Sequence, residues 1–428
     1  MALRRTKIIS TLGPSCDDLD VLENLLLAGT DLVRINFSHG TNEDHEKRIQ
    51  NVRAVAQKLK REIGILADLQ GPKLRIARFR EGKVFLQAGG EFILDAELET
   101  DAGTDKAVGI DYKNLPNDLS PNDTLLLDDG RVELLVKQIV GKKIHCEVMT
   151  DGWLSNNKGL NRQGGGLSAP ALTEKDKEDI KTAVKFNVDY IAISFPRCAD
   201  DIVQARDLIK AANGQANIIA KIERAEAVQA IHEILEVSDA IMVARGDLGV
   251  EIGDAELPAV QKNLIHQARS ADIAVITATQ MMESMINNVI PTRAEVFDVA
   301  NAVLDGTDAV MLSAETATGR YPDKAVSAMH RICLSAETQQ KARISRHRVE
   351  MRFKRVDEAI AMATMYTANH LNIKGIIALT ESGSTPLWMS RIRSGIPIFA
   401  LCRFETARRK MTLYRGVYPI EFDATLYK

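Results

Sequence analysis

A chain of 428 residues exceeds what one core usually covers, so two to three domains are expected. With 45% hydrophobic and 26% charged residues and a net charge of −3, it reads as a soluble globular protein with no electrostatic case for nucleic acid or an anionic membrane. No apolar run is long enough to span a bilayer, and five scattered cysteines (Cys16, Cys146, Cys198, Cys333, Cys402) without a CxxC indicate neither a disulfide frame nor zinc, so the reducing cytoplasm is the expected location.

Short β-branched runs alternate with amphipathic helical stretches. Strands are expected at 7–13 (KIISTLG), 31–38 (DLVRINFS) and 62–69 (EIGILADL). Asp17 or Asp18 is positioned to cap the first helix, and Ala28-Gly29 to close it. The alternation breaks over 71–168, where short strand candidates and turn signals predict a small β-barrel or sandwich. It resumes with strands at 188–195, 217–224, 239–246, 273–280 and 308–315, each followed by a helical pattern. Eight βα units make a (β/α)8 TIM barrel, with domains at 1–70 plus 169–340, an insert at 71–168, and a C-terminal α/β segment at 341–428. An open doubly wound sheet is the structural alternative. The basic stretch 341–355 reads as a connector. Only three strand candidates follow it, so the C-terminal α/β domain is expected to be incomplete.

Charges inside apolar strands carry the functional signal. Arg34, Asn36 and Ser38 alternate onto one face, and Asp68 ends the third strand. Lys221 and Glu223 share a face, as do Arg245 and Asp247, Thr277 and Thr279, and Ser313 and Glu315. One such pair is more simply a buried salt bridge. Repetition on six strands, always in the C-terminal half, predicts a site, because barrel chemistry gathers at that face and a buried unpaired charge costs several kcal/mol. Glu223, Asp247 and Asp68 are hard oxygen donors that suit Mg²⁺ or Mn²⁺ over zinc. Arg34 and Lys221 suit a phosphate or carboxylate, and the Gly246-Asp247 backbone can approach an anion. The chain has no GxxxxGK[ST], HExxH or GxSxG.

RINFSHG (34–40), DLQGPKLR (68–75), NNKGLN (156–161), AKIER (220–224), MVARGDLGVE (242–251), TATQMMESM (277–285), PTRAE (291–295) and DAVMLSAETA (308–317) together resemble the pyruvate kinase family over essentially the whole chain, with DLQGPK closest to its bacterial type II branch. The resemblance implies a glycolytic kinase that moves the phosphoryl group of phosphoenolpyruvate to ADP, giving pyruvate and ATP. It implies Mg²⁺ (or Mn²⁺) on Glu223 and Asp247, with catalytic roles for Lys221, Thr279 and Arg34. Substrate is expected on Arg34, Lys221, Gly246, Asp247 and Thr279. The nucleotide is expected near Asn36, Phe37, Ser38, His39, Arg75 and Lys158. Proton delivery to the enolate is expected through water, Thr279 and Ser313. The insert is expected to act as a water-excluding lid.

Two departures matter. Lys73 stands in Gly71-Pro72-Lys73 where K⁺-dependent relatives carry Glu, so K⁺ is expected to be dispensable although Asn36, Ser38 and Asp68 match its ligands. Ser384, in the phosphate-type loop 380–385, replaces a residue that is often basic in relatives, so effector activation is expected to be weak. A homo-oligomer is expected, the family tetramer, with its C-domain contact in question. The competing readings are a non-catalytic regulatory binder and a pyruvate or enolate lyase.

Overall fold

Eight parallel strands close a barrel in the computed structural model, which describes residues 3–342, 353 and 355–426. They are β1 (Lys7–Thr11), β2 (Leu32–Asn36), β3 (Gly64–Asp68), β4 (Tyr190–Ile193), β5 (Asn217–Ile222), β6 (Ala240–Ala244), β7 (Ala274–Ala278) and β8 (Ala309–Leu312), each paired with its neighbours and β1 with β8. Their period of two divides the core. Ile9, Leu32, Leu66, Ile219, Met242, Ile276 and Met311 belong to one buried cluster, while Ile8, Ile35, Ile65, Ile218 and Val243 pack in another with the outer helices. Local sequence sets the helix starts. Asp18 accepts from the backbone N–H groups of Asp20 and Val21, and Thr41, Thr173 and Thr292 each open a helix with a reciprocal capping box.

The chain leaves the barrel after β3 and returns before the helix Glu174–Lys185. Between them lie a six-stranded sheet, ordered Leu160–Arg162, Thr124–Leu127, Val132–Val140, Lys143–Val148, Glu91–Asp95 and Ala107–Gly109, and a two-stranded sheet, Lys83–Leu86 with Gly152–Ser155. This segment has its own core, centred on Phe92, Leu94, Leu125, Leu134 and Ile144. It is tied to the barrel's C-terminal face: Gly71 N–H donates to Asp176 Oδ1 (3.0 Å), Gly164 N–H to the Glu251 carbonyl (2.9 Å), and Arg224 Nη1 to the Leu167 carbonyl (3.1 Å). Gly71 is left-handed at φ 66, and a Cβ there would press on Ser194, so only glycine allows this approach.

At the opposite end, β9 (Ile376–Leu379), β10 (Ile398–Cys402) and β11 (Val417–Glu421) form a parallel sheet. Arg391 grips Asp308, both about 1% exposed, while Lys7 Nζ donates to the Val417 carbonyl (2.6 Å) and Tyr190 OH to the Lys410 carbonyl (2.7 Å). The other face of β9 is open, with Ile377 69% and Leu379 61% exposed. Most of the basic connector expected at 341–355 lies outside the described residues. No described helix is long and apolar enough to cross a membrane.

Candidate active site at the barrel strand ends

Arg34, Asp68, Lys221 and Glu223 converge because they follow inward-facing positions on β2, β3 and β5. Arg34 Nε donates to Asp68 Oδ2 at 2.6 Å and its Nη1 to Thr11 Oγ1 at 3.1 Å. Lys221 Nζ stands 3.2 Å from Asp68 Oδ1 and 3.0 Å from Glu223 Oε1, and donates to Ser194 Oγ at 2.8 Å. The Phe195 N–H fixes Glu223 Oε2 at 2.9 Å. Lys73 Nζ donates to Asp247 Oδ1 at 2.7 Å. Three cations and three carboxylates are therefore paired by charge, while Asp68 Oδ1 stays buried without a hydrogen-bond partner among the described residues.

The electrostatics follow from burial and these pairings. Burial alone raises the Asp68 carboxyl, but Lys221 and Arg34 outweigh it and hold it below its ordinary value. Burial pulls the Lys221 ammonium down, and Asp68 and Glu223 reverse the direction, so it stays charged. Glu223 is pushed up to about 7 by burial, aided by Asp247 and Asp68 and opposed by Lys221. Glu223 and Asp247 thus form a pair of oxygen donors with ammonium groups seated on them, a donor type that suits a hard divalent cation. Among the described residues no group of three or more His, Cys, Asp or Glu side chains could hold a metal. A cation here needs substrate and water oxygens to complete its shell, as Mg²⁺ commonly does.

The second half of the site is backbone. β7 stops at Ala278, and Thr279 and Gln280 take left-handed φ of 66° and 54°. Two such residues cost about 1–3 kcal/mol each and need bracing. Arg245 supplies it: Nη2 donates to the Thr279 carbonyl at 2.6 Å, Nε to the Ala278 carbonyl at 3.2 Å, and Nη1 to Asp298 Oδ1 at 2.7 Å. Thr279 Oγ1 accepts the Gly246 N–H at 2.8 Å and donates to the Ala278 carbonyl at 2.6 Å.

Pairings expected from strand alternation are corrected here where strands stop early. Arg245 does not share a strand face with Asp247, because β6 ends at Ala244 and both lie in the helix Arg245–Ile252, so Arg245 turns into the protein. Thr277 points out of the barrel, donating to Thr307 Oγ1 at 3.0 Å, while Thr279 lies past the strand end. Ser313 and Glu315 likewise do not share a strand face, because β8 ends at Leu312 and Glu315 lies in the helix Ala314–Ala317, where it accepts the Ser313 and Met282 N–H groups and so braces two loops.

Of the nucleotide-side residues, Asn36 Oδ1 accepts the Ser38 N–H at 3.1 Å, and His39 is exposed. The Phe37 ring is buried against His45 at 4.4 Å, leaving its carbonyl to Lys175 (2.9 Å). Arg75 and Lys158 belong to the insert. Arg75 Nη1 donates to the Asn157 carbonyl at 2.9 Å, and Lys158 Nζ pairs with Asp128 at 2.7 Å. Sequence reasoning missed Thr11, Ser194 and Asp298. Ser194 follows Tyr190 and Ala192 in parity, so the alternation rule could have found it. Asp298, 53 residues from Arg245, left no local signal. The 380–385 loop lines a separate cavity of about 420 Å³ together with Arg355 and Arg403.

Comparison with known proteins identifies the family. Residues 3–326 match the pyruvate kinase barrel domain and residues 358–427 the pyruvate kinase alpha/beta domain. The chain is 58% identical over 426 residues to pyruvate kinase II of Salmonella typhimurium, covering 99% of this chain and 89% of the relative. It is 57% identical over 422 residues to pyruvate kinase of Haemophilus influenzae, covering 98% and 88%. A crystal structure of a pyruvate kinase from Cryptosporidium parvum superposes with a TM-score of 0.92 at 35% identity, covering 99% of this chain and 89% of that one. The chain belongs to the pyruvate kinase family.

Proposed function

We infer that the strand ends described above are where this enzyme performs its family's reaction, transfer of the phosphoryl group of phosphoenolpyruvate to ADP to give pyruvate and ATP. The observation that carries this is the Lys221 ammonium, held charged between Asp68 and Glu223 at 3.2 and 3.0 Å. Phosphoryl transfer needs charge neutralisation and alignment more than covalent chemistry.

In this reading Arg34 and Lys221 exchange Asp68 and Glu223 for the phosphoryl oxygens, and Lys221 then stays with the enolate oxygen. The Gly246 and Asp247 backbone and the Thr279 hydroxyl receive the substrate carboxylate. Glu223 and Asp247 hold Mg²⁺ (or Mn²⁺), which supplies further charge neutralisation when bound. Asn36, Phe37, Ser38, His39, Arg75 and Lys158 face the nucleotide, the last two brought in by the insert, residues 71–168, acting as a lid that keeps water from the phosphoryl group. The Thr279 hydroxyl donates to its neighbouring carbonyl, so the water relay to the enolate, with Ser313 its second member, requires that hydroxyl to rotate. Lys73 takes the electrostatic place of K⁺, so K⁺ is dispensable.

We further place the chain in the cytoplasm, in keeping with its five free thiols. It acts as a homo-oligomer, for which exposed Val289, Ile290 and Phe297 offer apolar surface. Binding of Mn²⁺ followed by electron paramagnetic resonance tests the metal assignment without turnover. Glu223→Gln and Asp247→Asn should each weaken it at least about tenfold, and unchanged affinity in both would refute it.

A further inference from the structure

β4 ends at Ile193, and the next two residues, Ser194 and Phe195, are 1% and 6% exposed. Ser194 keeps the inward parity of Tyr190 and Ala192. Its hydroxyl donates to the Leu69 carbonyl just past β3 at 2.7 Å and accepts from Lys221 Nζ at 2.8 Å. Phe195 then turns left-handed at φ 56, a conformation that bulky side chains rarely adopt and that persists only where the surrounding fold enforces it. The turn aims the Phe195 N–H at Glu223 Oε2 (2.9 Å), and the Arg224 guanidinium carbon lies 5.8 Å from the Phe195 ring centre. Gly71, where the insert begins, packs directly on these two residues: a Cβ there would stand 2.6 Å from Ser194 Cβ and 3.1 Å from Phe195 Cδ2.

The oxygens around the Lys221 ammonium are not equivalent. Ser194 Oγ is nearest at 2.8 Å, followed by Glu223 Oε1 at 3.0 Å and Asp68 Oδ1 at 3.2 Å. The two carboxylates are the contacts that the ammonium exchanges for phosphoryl oxygens when substrate enters. A neutral hydroxyl does not compete with the phosphoryl group and need not leave. With its own proton committed to the Leu69 carbonyl, Ser194 keeps an Oγ lone pair for the ammonium. A simple tie between the ends of β3 and β4 accounts for the bond to Leu69 but not for the ammonium seated on the other side of the same oxygen.

We propose that Ser194 is a positioning residue for phosphoryl transfer, holding the Lys221 ammonium in place while its carboxylate partners are exchanged for the reacting phosphoryl group. The left-handed Phe195 holds Glu223 beside it. This inference rests on the role given to Lys221 above, and it adds the residue that directs that ammonium.

The test is a double-mutant cycle of Ser194→Ala and Lys221→Met in the full chain, read as kcat for pyruvate formation, with Mn²⁺ binding followed alongside. Ser194→Ala removes one oxygen and should fold as the parent does. Alone it should lower kcat about tenfold to a hundredfold, as loss of a hydrogen bond to a charged group does. Mn²⁺ affinity should be unchanged, because Glu223 and Asp247 keep their positions. In the Lys221→Met background the same substitution should cost less than about twofold, since no ammonium is left to direct. A residue that only ties strand ends together would cost the same in both backgrounds. Parental kcat in Ser194→Ala, an equal loss in the two backgrounds, or weakened Mn²⁺ binding would each overturn the proposal while leaving the role of Lys221 intact. Parental kcat in Lys221→Met would overturn that role, and this inference with it.

Discussion

Replacing Lys73 by Met removes the ammonium that stands 2.7 Å from Asp247 Oδ1 while keeping most of the side chain's bulk. Both side chains are about a quarter exposed. At that distance and an effective dielectric of about 20, the gross attraction is about 6 kcal/mol. Desolvation and side-chain ordering reduce the net value of such charged hydrogen bonds to about 1.5–3 kcal/mol. If that charge also offsets the phosphoryl and carboxylate groups in the transition state, kcat/KM falls about tenfold to a hundredfold. A monovalent cation small enough to enter the vacated space should recover part of the loss. The assay is pyruvate formation at saturating Mg²⁺ in Na⁺, K⁺ or tetramethylammonium. The parent should run at comparable rates in all three. Lys73→Met should be slow in Na⁺ and tetramethylammonium and partly restored by K⁺. Strict K⁺ dependence in the parent, or parent-like rates for Lys73→Met in every salt, would show that Lys73 does not take the place of K⁺.

Three further expectations concern other regions. Arg391→Met leaves Asp308 buried without its partner, so stability should fall by about 3–5 kcal/mol in denaturant titration while a folded variant keeps its active-site geometry. Glu251, 4% exposed beside Glu226 and the Ala225 N–H, is raised to about 7 from 4.5 by burial. The folded state thus binds its proton more tightly than the unfolded chain, and stability is lost as pH rises from about 4.5 to 7, by about 3 kcal/mol at most. Glu251→Gln should raise Tm above pH 7 and leave it unchanged near pH 4.5. Sugar phosphates or nucleotides should shift half-saturation for phosphoenolpyruvate little, since Ser384 offers no charge in the 380–385 loop, and a large drop in steady-state assays would contradict this.

How far the sequence could be read depended on whether the signal was local. Period-two alternation placed Arg34, Lys221 and Glu223 on inward faces, and of the two expected caps, Asp17 or Asp18, the structure uses Asp18 to open the first helix. Alternation misled where strands stopped early. Arg245 and Thr279 lie beyond Ala244 and Ala278, and there the left-handed turn, not the pleat, decides direction. Contacts between distant segments were not legible. Nothing near Lys73 signals Asp247, 174 positions away, and nothing near Arg391 signals Asp308. Long-range charge pairing depends on the closed barrel, which brings the strand ends together only after folding.

If Lys221, charged between Asp68 and Glu223, carries phosphoryl transfer, pyruvate formation from phosphoenolpyruvate, ADP and Mg²⁺ must depend on it, which the purified chain and Lys221→Met assayed side by side would reveal. Robust turnover is expected in the parent, with a loss of about a hundredfold to a thousandfold in kcat for a folded, Mn²⁺-binding Lys221→Met. Absence of pyruvate from the parent, or near-parental kcat in the variant, would contradict it.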